Sequence, residues 1–225
     1  MASPSPVSTS TSCDAAVMEQ RAPELAFRLI GTWWRVDLDS DDAARASASD
    51  IARGTLGTRD QEATARRRMR EDLVSAAASA RDAHATLMLL QTELAPGEPM
   101  SATLTVFDDD RVRMSPAIGT HPDRVLGVLE ESLPTIDPAL APTAVRRPFD
   151  GGETVRVHRI DETVDVEGGA EFTQRRLVAQ YWYAKPDSKN LALVVLSTPL
   201  GDIPNTLLSY FDAIVEVSRF VENPA

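Results

Sequence analysis

The stretch RLVAQYWYAKPDSKNLALVVLSTPLGDIPNTLLSYFDAIVEVSRFV, residues 176–221, decides the fold class. It predicts a strand over Arg176 to Ala184, a polar turn, a second strand over Leu191 to Thr198 and a helix over Pro204 to Val221. Both faces of the two strands carry apolar residues, whereas an antiparallel strand with one wet face alternates apolar and polar residues. The sequence therefore predicts an α+β three-layer sandwich, in which helices cover both faces of a largely antiparallel central sheet.

A period of two near the start of the chain predicts an early strand that ends at Leu38. Trp34 and Val36 alternate there with Trp33 and Arg35. Because successive side chains of a strand point to opposite faces, the two tryptophans must separate. We expect one of them in the core, and the other either under a helix layer or exposed at a contact site.

A long helix is predicted from a capping box at Thr58 and Gln61 to about Glu93. Much of its apolar stripe is alanine, so we expect it to lie close to its neighbour. The same helix carries the basic cluster from Arg66 to Arg70. Acidic residues one turn away favour a solvated face for this cluster, and a site for an anion or an acidic partner is the alternative.

Shorter patterns complete the predicted order of elements. In chain order, the sequence predicts a strand over Met100 to Phe107, a return strand over Arg111 to Met114, a helix that Thr120 caps and Pro134 ends, a short edge strand near Ala144, a strand over Glu153 to Ile160 with Arg156 and His158 outward, and a hairpin loop over Asp161 to Gly169.

The composition limits the classes of function. A net charge of −11 argues against nucleic acid and against an anionic membrane surface as partners. The single cysteine, Cys13, allows neither a disulfide within the chain nor a thiolate cluster for a metal. Since the pattern shows no signal peptide and no membrane span, we expect a cytoplasmic protein, with a disordered tail over residues 1–22 and one domain over residues 23–225.

No catalytic, cofactor-binding or metal-binding residues are predicted. The acidic run from Asp37 to Asp42 resembles the start of a calcium loop, but Asp42 stands where such a loop needs glycine and Ala48 where it needs glutamate. The three histidines are assigned to a helix, a cap and a strand, and their spacing gives no support for convergence. A pair among the 34 acidic residues stays open as an acid–base alternative.

Three segments resemble the Mog1/PsbP-like group. They are the early strand Gly31-Thr-Trp-Trp-Arg-Val-Asp-Leu38, the strand end Ser197-Thr-Pro199, and a C-terminal helix from Phe211 to Phe220. The resemblance implies an antiparallel sheet between helices and a non-enzymatic role as an adaptor or accessory subunit. It transfers no catalytic residue and no cofactor.

The sequence thus favours a protein-binding module with a protein partner of unknown identity. The expected contact residues are the aromatic residues Trp33, Tyr181 and Tyr183, because Tyr and Trp favour interfaces, together with Arg66 and Arg70. The alternative is a carrier of a small ligand or lipid that uses a cavity between the sheet and the alanine-rich helix. A homodimer through an open sheet edge or the final helix is a third possibility.

Overall fold

The computed structural model describes residues 23–108, 113–114, 119–167 and 170–222, and the side chains of all of these except 165–167 and 170–172. Its strands are β1 (Glu24–Ala26), β2 (Thr32–Val36), β3 (Leu87–Ala95), β4 (Glu98–Phe107), β5 (Val145–Phe149), β6 (Gly152–Glu167), β7 (Ala170–Ala184), β8 (Leu191–Thr198) and β9 (Arg219–Val221). Its helices are α1 (Asp41–Leu56), α2 (Ala63–Asp82), α3 (Pro122–Ile136) and α4 (Pro204–Glu216), with 3-10 turns at Asp60–Glu62 and Ala141–Thr143.

Seven strands form one antiparallel sheet in the order β2-β3-β4-β8-β7-β6-β5. The short strands β1 and β9 pair separately, with Leu25 opposite Phe220. Helices pack on both faces of the large sheet, so the predicted α+β sandwich is confirmed. The tail predicted over residues 1–22 lies outside the described residues.

Helix α4 covers one face of the sheet, which we call the α4 face. Its buried residues Leu207, Phe211 and Ile214 pack on side chains from the central strands, including Leu104 and Leu196. The helix predicted over Pro204 to Val221 is present, but it ends at Glu216. The chain then turns back as β9, because the last residues pair with β1.

The opposite face carries two separate helical layers. Helices α1 and α2 cover β2 and β3, where Ile51 and Leu73 pack on Val36, Met88 and neighbouring residues. Helix α3 covers the other end of the sheet through a second buried cluster. That cluster joins residues of α3 to residues of β6, β7 and β8, among them Val125, Leu126, Leu129, Val155, Val157 and Leu191.

The two adjacent tryptophans separate as predicted. Trp33 packs into the core on the α4 face, whereas Trp34 packs against the α1 and α2 layer. A Cβ on Gly54 of α1 would lie 2.6 Å from Cη2 of Trp34. This glycine lets the helix backbone approach the indole ring closely.

The predicted long helix is wrong beyond Asp82. The chain leaves the helix at His84, which has a φ of 61°, and Leu87–Ala95 forms β3. Both faces of β3 are covered, so its apolar residues follow no period of two and also fit helical spacing. The predicted capping box is wrong too, because α2 starts at Ala63 without a side-chain cap.

Other helix ends differ from the predicted ones where the prediction depended on a capping residue or a proline. Helix α3 begins at Pro122 after His121, so Thr120 does not cap it, and Pro134 lies inside the helix instead of ending it. In contrast, Ser40 caps α1 by accepting a hydrogen bond from the backbone N–H of Ala43. The predicted strands over β4 and β5 are confirmed.

The return strand predicted over Arg111 to Met114 lies mostly outside the described residues, and Arg113 makes an isolated bridge with Asn190. None of the helices in the described part of the chain has the length and apolarity to cross a membrane.

Candidate protein-binding surface

The hairpin of β6 and β7 extends beyond both neighbouring strands. On one side β5 reaches only as far as Arg156, and on the other side β8 reaches only as far as Leu177. The β6–β7 ladder continues through seven more pairs, from Asp161–Arg176 to Glu167–Ala170. We call residues 161–167 and 170–176 the arm. At about 3.3 Å per residue it projects about 20 Å from the sheet.

Hydrogen bonds at the base of the arm show which backbone groups face outward. The N–H of His158 donates to the hydroxyl of Thr143 at 2.9 Å, so it points away from β7. Because backbone groups alternate along an antiparallel strand, Ile160, Glu162 and Val164 also turn their N–H and C=O away from β7. Among the described residues, no strand pairs with this outer edge of β6 beyond Arg156.

The opposite edge of the arm is partly covered at its base. The N–H of Gly201, in the loop before α4, donates to the carbonyl of Arg175 at 2.9 Å. The approach is close, since a Cβ on Gly201 would lie 2.8 Å from that carbonyl oxygen. The Arg175 side chain also contacts Glu162 and Asp202 at 3.0 and 3.3 Å. The β6 edge is therefore the more accessible edge of the arm.

Side chains on the β6 part of the arm alternate in character. Val164, which is 63% exposed, shares a face with Ile160 and Glu162. Asp161 and Thr163 lie on the opposite face, at the positions that continue from Val155 and Val157 of the α3 core. Each of the two faces thus carries one carboxylate among the described side chains, and the apolar residues Ile160 and Val164 lie on the same face.

The hairpin loop predicted over Asp161 to Gly169 is wrong for most of its length. Strand β6 continues to Glu167, and its ladder with β7 continues to the pair of Glu167 and Ala170. The alternation of Val164 and Val166 with acidic residues is a strand signal. The acidic content hid it, because acidic residues are uncommon in strands.

A second polar group lies between α4 and the sheet. The carboxylate of Asp212 on α4 accepts from Arg156 at 2.6 Å and from the hydroxyl of Tyr181 at 2.8 Å, and it lies 3.0 Å from Nε of Arg147. The side chain of Arg156 is 7% exposed. The predicted outward position of Arg156 is therefore wrong, since α4 covers this part of β6 and supplies the counter-charge.

His158 lies beside this group, and its predicted surface position is also wrong. It is half-buried, and its buried Nδ1 has no hydrogen-bond partner among the residues that the structure describes. Burial lowers the pKa of His158, and the positive charge of Arg156 lowers it further, against a smaller opposing effect of Asp212. Burial also raises the pKa of Tyr181, assisted by the charge of Asp212. The arrangement joins α4 to the sheet, and both oxygens of Asp212 already have partners.

The structure contradicts the expected surface position of Tyr181 and Tyr183. Both are 0% exposed and point into the core on the α4 face. The Tyr183 ring packs edge-on against Phe149 at 5.0 Å, and its hydroxyl lies 3.1 Å from the hydroxyl of Ser218. Neither tyrosine can contact a partner in this fold, because α4 and the β9 segment cover them.

Trp33, Arg66 and Arg70 do not come together either. Trp33 is half-buried on β2, and its indole N–H donates to the carbonyl of Ile30 at 2.8 Å. Arg66 bonds the carbonyls of Gly57 and Arg59, just after the end of α1. Arg70 is exposed on α2, on the opposite side of the sheet from Trp33. These residues do not form one surface.

Arg70 lines a groove of about 360 Å³ between α1 and α2. The other lining residues are Arg45, Ser49, Glu71 and Val74, so no strand contributes to it. The sequence predicts the alternative ligand cavity between the sheet and the alanine-rich helix. This groove lies elsewhere, between the two helices.

Within the described ranges, no three His, Cys, Asp or Glu side chains are grouped so that they could hold a metal ion. No family model, curated protein or solved structure matches the chain, so the resemblance to the Mog1/PsbP-like group stays a prediction.

Proposed function

We propose that this protein is a non-enzymatic protein-binding module, an adaptor or accessory factor, which accepts an extended segment of its partner along the outer edge of β6. Strand addition to an open edge is a recurrent mode of peptide recognition, in which backbone hydrogen bonds provide affinity and alternate side chains provide specificity. The observation that carries the proposal is the run of outward backbone groups at Ile160, Glu162 and Val164.

The stability of a two-stranded ribbon supports this reading. A hairpin of two strands is marginally stable in water unless a third strand or a packed layer supports it. The arm has two strands over seven residue pairs, and its β6 edge lacks a neighbour among the described residues. A partner strand would supply the missing third strand and satisfy the outward N–H and C=O groups.

The proposal extends the adaptor role that the resemblance implies, with a cytoplasmic setting as the sequence leads us to expect. The proposed contact surface is the arm and not the two tyrosines. The partner would bind through backbone hydrogen bonds to the open edge of β6 and would not need aromatic side chains as anchors.

The test is affinity purification from the native host with the full chain, its Val164→Pro variant and its Val164→Thr variant. Proline at position 164 removes an outward N–H without removing a bond of the β6–β7 ladder. Threonine keeps this N–H and the branched shape. We expect a stoichiometric protein partner to copurify with the wild type and with Val164→Thr, and to be lost with Val164→Pro.

Circular dichroism and urea unfolding must first show that both variants remain folded. A partner retained equally by Val164→Pro would mean that the β6 edge is not the binding surface. A small molecule that copurifies in the absence of any stoichiometric protein would favour the carrier function instead.

A further inference from the structure

We propose that the groove between α1 and α2 binds a small organic anion, whose carboxylate or phosphate group is held by Arg45 and Arg70. This site is separate from the arm and does not depend on strand addition. The groove has a volume of about 360 Å³, which lies near the lower end of the range for small-molecule sites. Its lining consists of two guanidinium groups, the Ser49 hydroxyl, the Glu71 carboxylate and the Val74 side chain.

The packing of the two helices brings these side chains to one groove. An ion pair between the end of α2 and the start of α1, Arg81 with Asp41, shows that the helices run antiparallel. On each helix two lining residues are four positions apart, and residues at this spacing share a helix face. These pairs are Arg45 with Ser49 on α1 and Arg70 with Val74 on α2. The buried core of the helix pair, which includes Ile51 and Leu73, holds both backbones in place.

Arg70 differs from its neighbours in the basic cluster. Arg66 donates to two backbone carbonyls, and Arg67 lies 4.0 Å from Glu71. Arg70 makes no hydrogen bond or ion pair with any residue that the structure describes, because positions 66, 67, 73 and 74, one turn away on its helix, hold no acidic residue. Its guanidinium therefore offers a planar fork of N–H donors, which matches the oxygens of a carboxylate or a phosphate.

Arg45 and Ser49 supply a second cation and a hydroxyl. Arg45 lies 2.6 Å from Asp42 and 4.0 Å from Asp41, and both carboxylates are more than half exposed. Ion pairs at such exposed positions are weak, so an anion in the groove can replace them. The Ser49 hydroxyl makes no hydrogen bond within the described part of the chain and is free to donate to the same anion.

The charge of the helix pair differs from that of the whole chain. The chain has 23 basic and 34 acidic residues, whereas residues 41–82 contain eight of each. This part of the chain therefore lacks the net negative charge that would repel an anion. Glu71 is the one carboxylate that lines the groove, and Arg67 partly offsets it. The two guanidinium groups against this single carboxylate favour an anion over a cation.

The test is an NMR titration of the isotope-labelled full chain at low salt with phenyl phosphate, benzoate and benzyl alcohol. We expect the anions to shift the backbone amides around Ser49 and Arg70, and the neutral alcohol to leave them unchanged. A shift with only one of the two anions would support the site and assign its ligand class. No shift with either anion, or an equal shift with benzyl alcohol, would overturn the proposal.

Two variants distinguish binding in the groove from general attraction of anions. Arg70→Gln should weaken anion binding at least about tenfold, because it removes hydrogen bonds between charged groups. Arg124→Gln is the matched control, since it removes the same charge from an exposed position on α3 and should leave the affinity unchanged. Circular dichroism checks that both variants are folded. Unchanged affinity in Arg70→Gln, or equal weakening in both variants, would overturn the proposal.

Discussion

The hydroxyl of Thr143 accepts a 2.9 Å hydrogen bond from the backbone N–H of His158, and this contact ends the paired part of the outer β6 edge. The same oxygen lies 3.1 Å from the carbonyl of His158 and 2.8 Å from that of Leu140. One side chain therefore takes the place of a strand at this position. Beyond His158, the outward N–H and C=O groups of Ile160, Glu162 and Val164 have no strand partner among the described residues.

Amide hydrogen exchange should alternate along the arm. We expect the amides of Glu162 and Val164 to exchange faster than those of Asp161 and Thr163, because only the latter pair points into the β6–β7 ladder. The measurement is residue-resolved exchange by NMR on the free protein. The His158 amide, bonded to Thr143, serves as the protected reference. Uniform protection along residues 161–164 would contradict the open edge.

Removal of the Asp212 carboxylate should strongly destabilise the fold. Asp212→Ala leaves the guanidinium of Arg156 buried without its closest counter-charge, which we expect to lower the free energy of unfolding by about 3 kcal/mol. Tyr181→Phe removes one hydrogen bond to the same carboxylate and should cost about 1 kcal/mol. Urea unfolding of both variants provides the comparison. Equal losses would mean that the ion pair adds nothing beyond the hydrogen bond.

The lowered pKa of His158 should make stability depend on pH. In the unfolded chain histidine takes up a proton near its ordinary pKa of about 6.5, whereas the folded chain resists protonation to a lower pH. The free energy of unfolding should therefore fall as the pH decreases from about 7.5 to about 5.5. His158→Gln should flatten this slope. Chemical denaturation of the wild type and the variant at several pH values measures the two slopes, and equal slopes would contradict the prediction.

The close packing of α1 on Trp34 should make Gly54 sensitive to substitution. Gly54→Ala would bring a Cβ within 2.6 Å of the indole ring, and the Thr92 hydroxyl bonds the indole N–H at 3.1 Å, so the ring cannot move freely. We expect a loss of about 1–3 kcal/mol.

Gly127→Ala in α3 is the matched control, because no described atom outside the adjacent turns of its own helix lies within 4 Å of the added Cβ. There the higher helix propensity of alanine should raise the free energy of unfolding by about 0.5–1 kcal/mol. Thermal and urea unfolding test both variants. A neutral Gly54→Ala would show that the helix can shift away from Trp34.

Local patterns predicted the layers of the fold and several of its elements. The two-sided apolarity of Leu191–Thr198 required helices on both faces, and the period of two at Trp33 and Trp34 placed these residues on opposite faces. The same reasoning misplaced Leu87–Ala95, because a strand covered on both sides loses its period of two.

The exposure of the candidate contact residues depended more on tertiary structure than on local sequence patterns. Sequence patterns identified aromatic residues that favour interfaces, but they could not show that α4 and β9 cover Tyr181 and Tyr183. They also could not show that Arg156 would be buried, since its partner Asp212 lies 56 residues away in the chain. Such contacts depend on which elements cross, and no local spacing contains that information.

The sequence by itself determined the largely antiparallel sheet and the helices that cover both of its faces, because these follow from the period of the apolar side chains. Only the tertiary structure decided that β5 ends at Arg156 and β8 at Leu177, which leaves the hairpin between them to continue alone. An edge is open or closed according to the lengths of its neighbours, and those lengths depend on packing between distant parts of the chain.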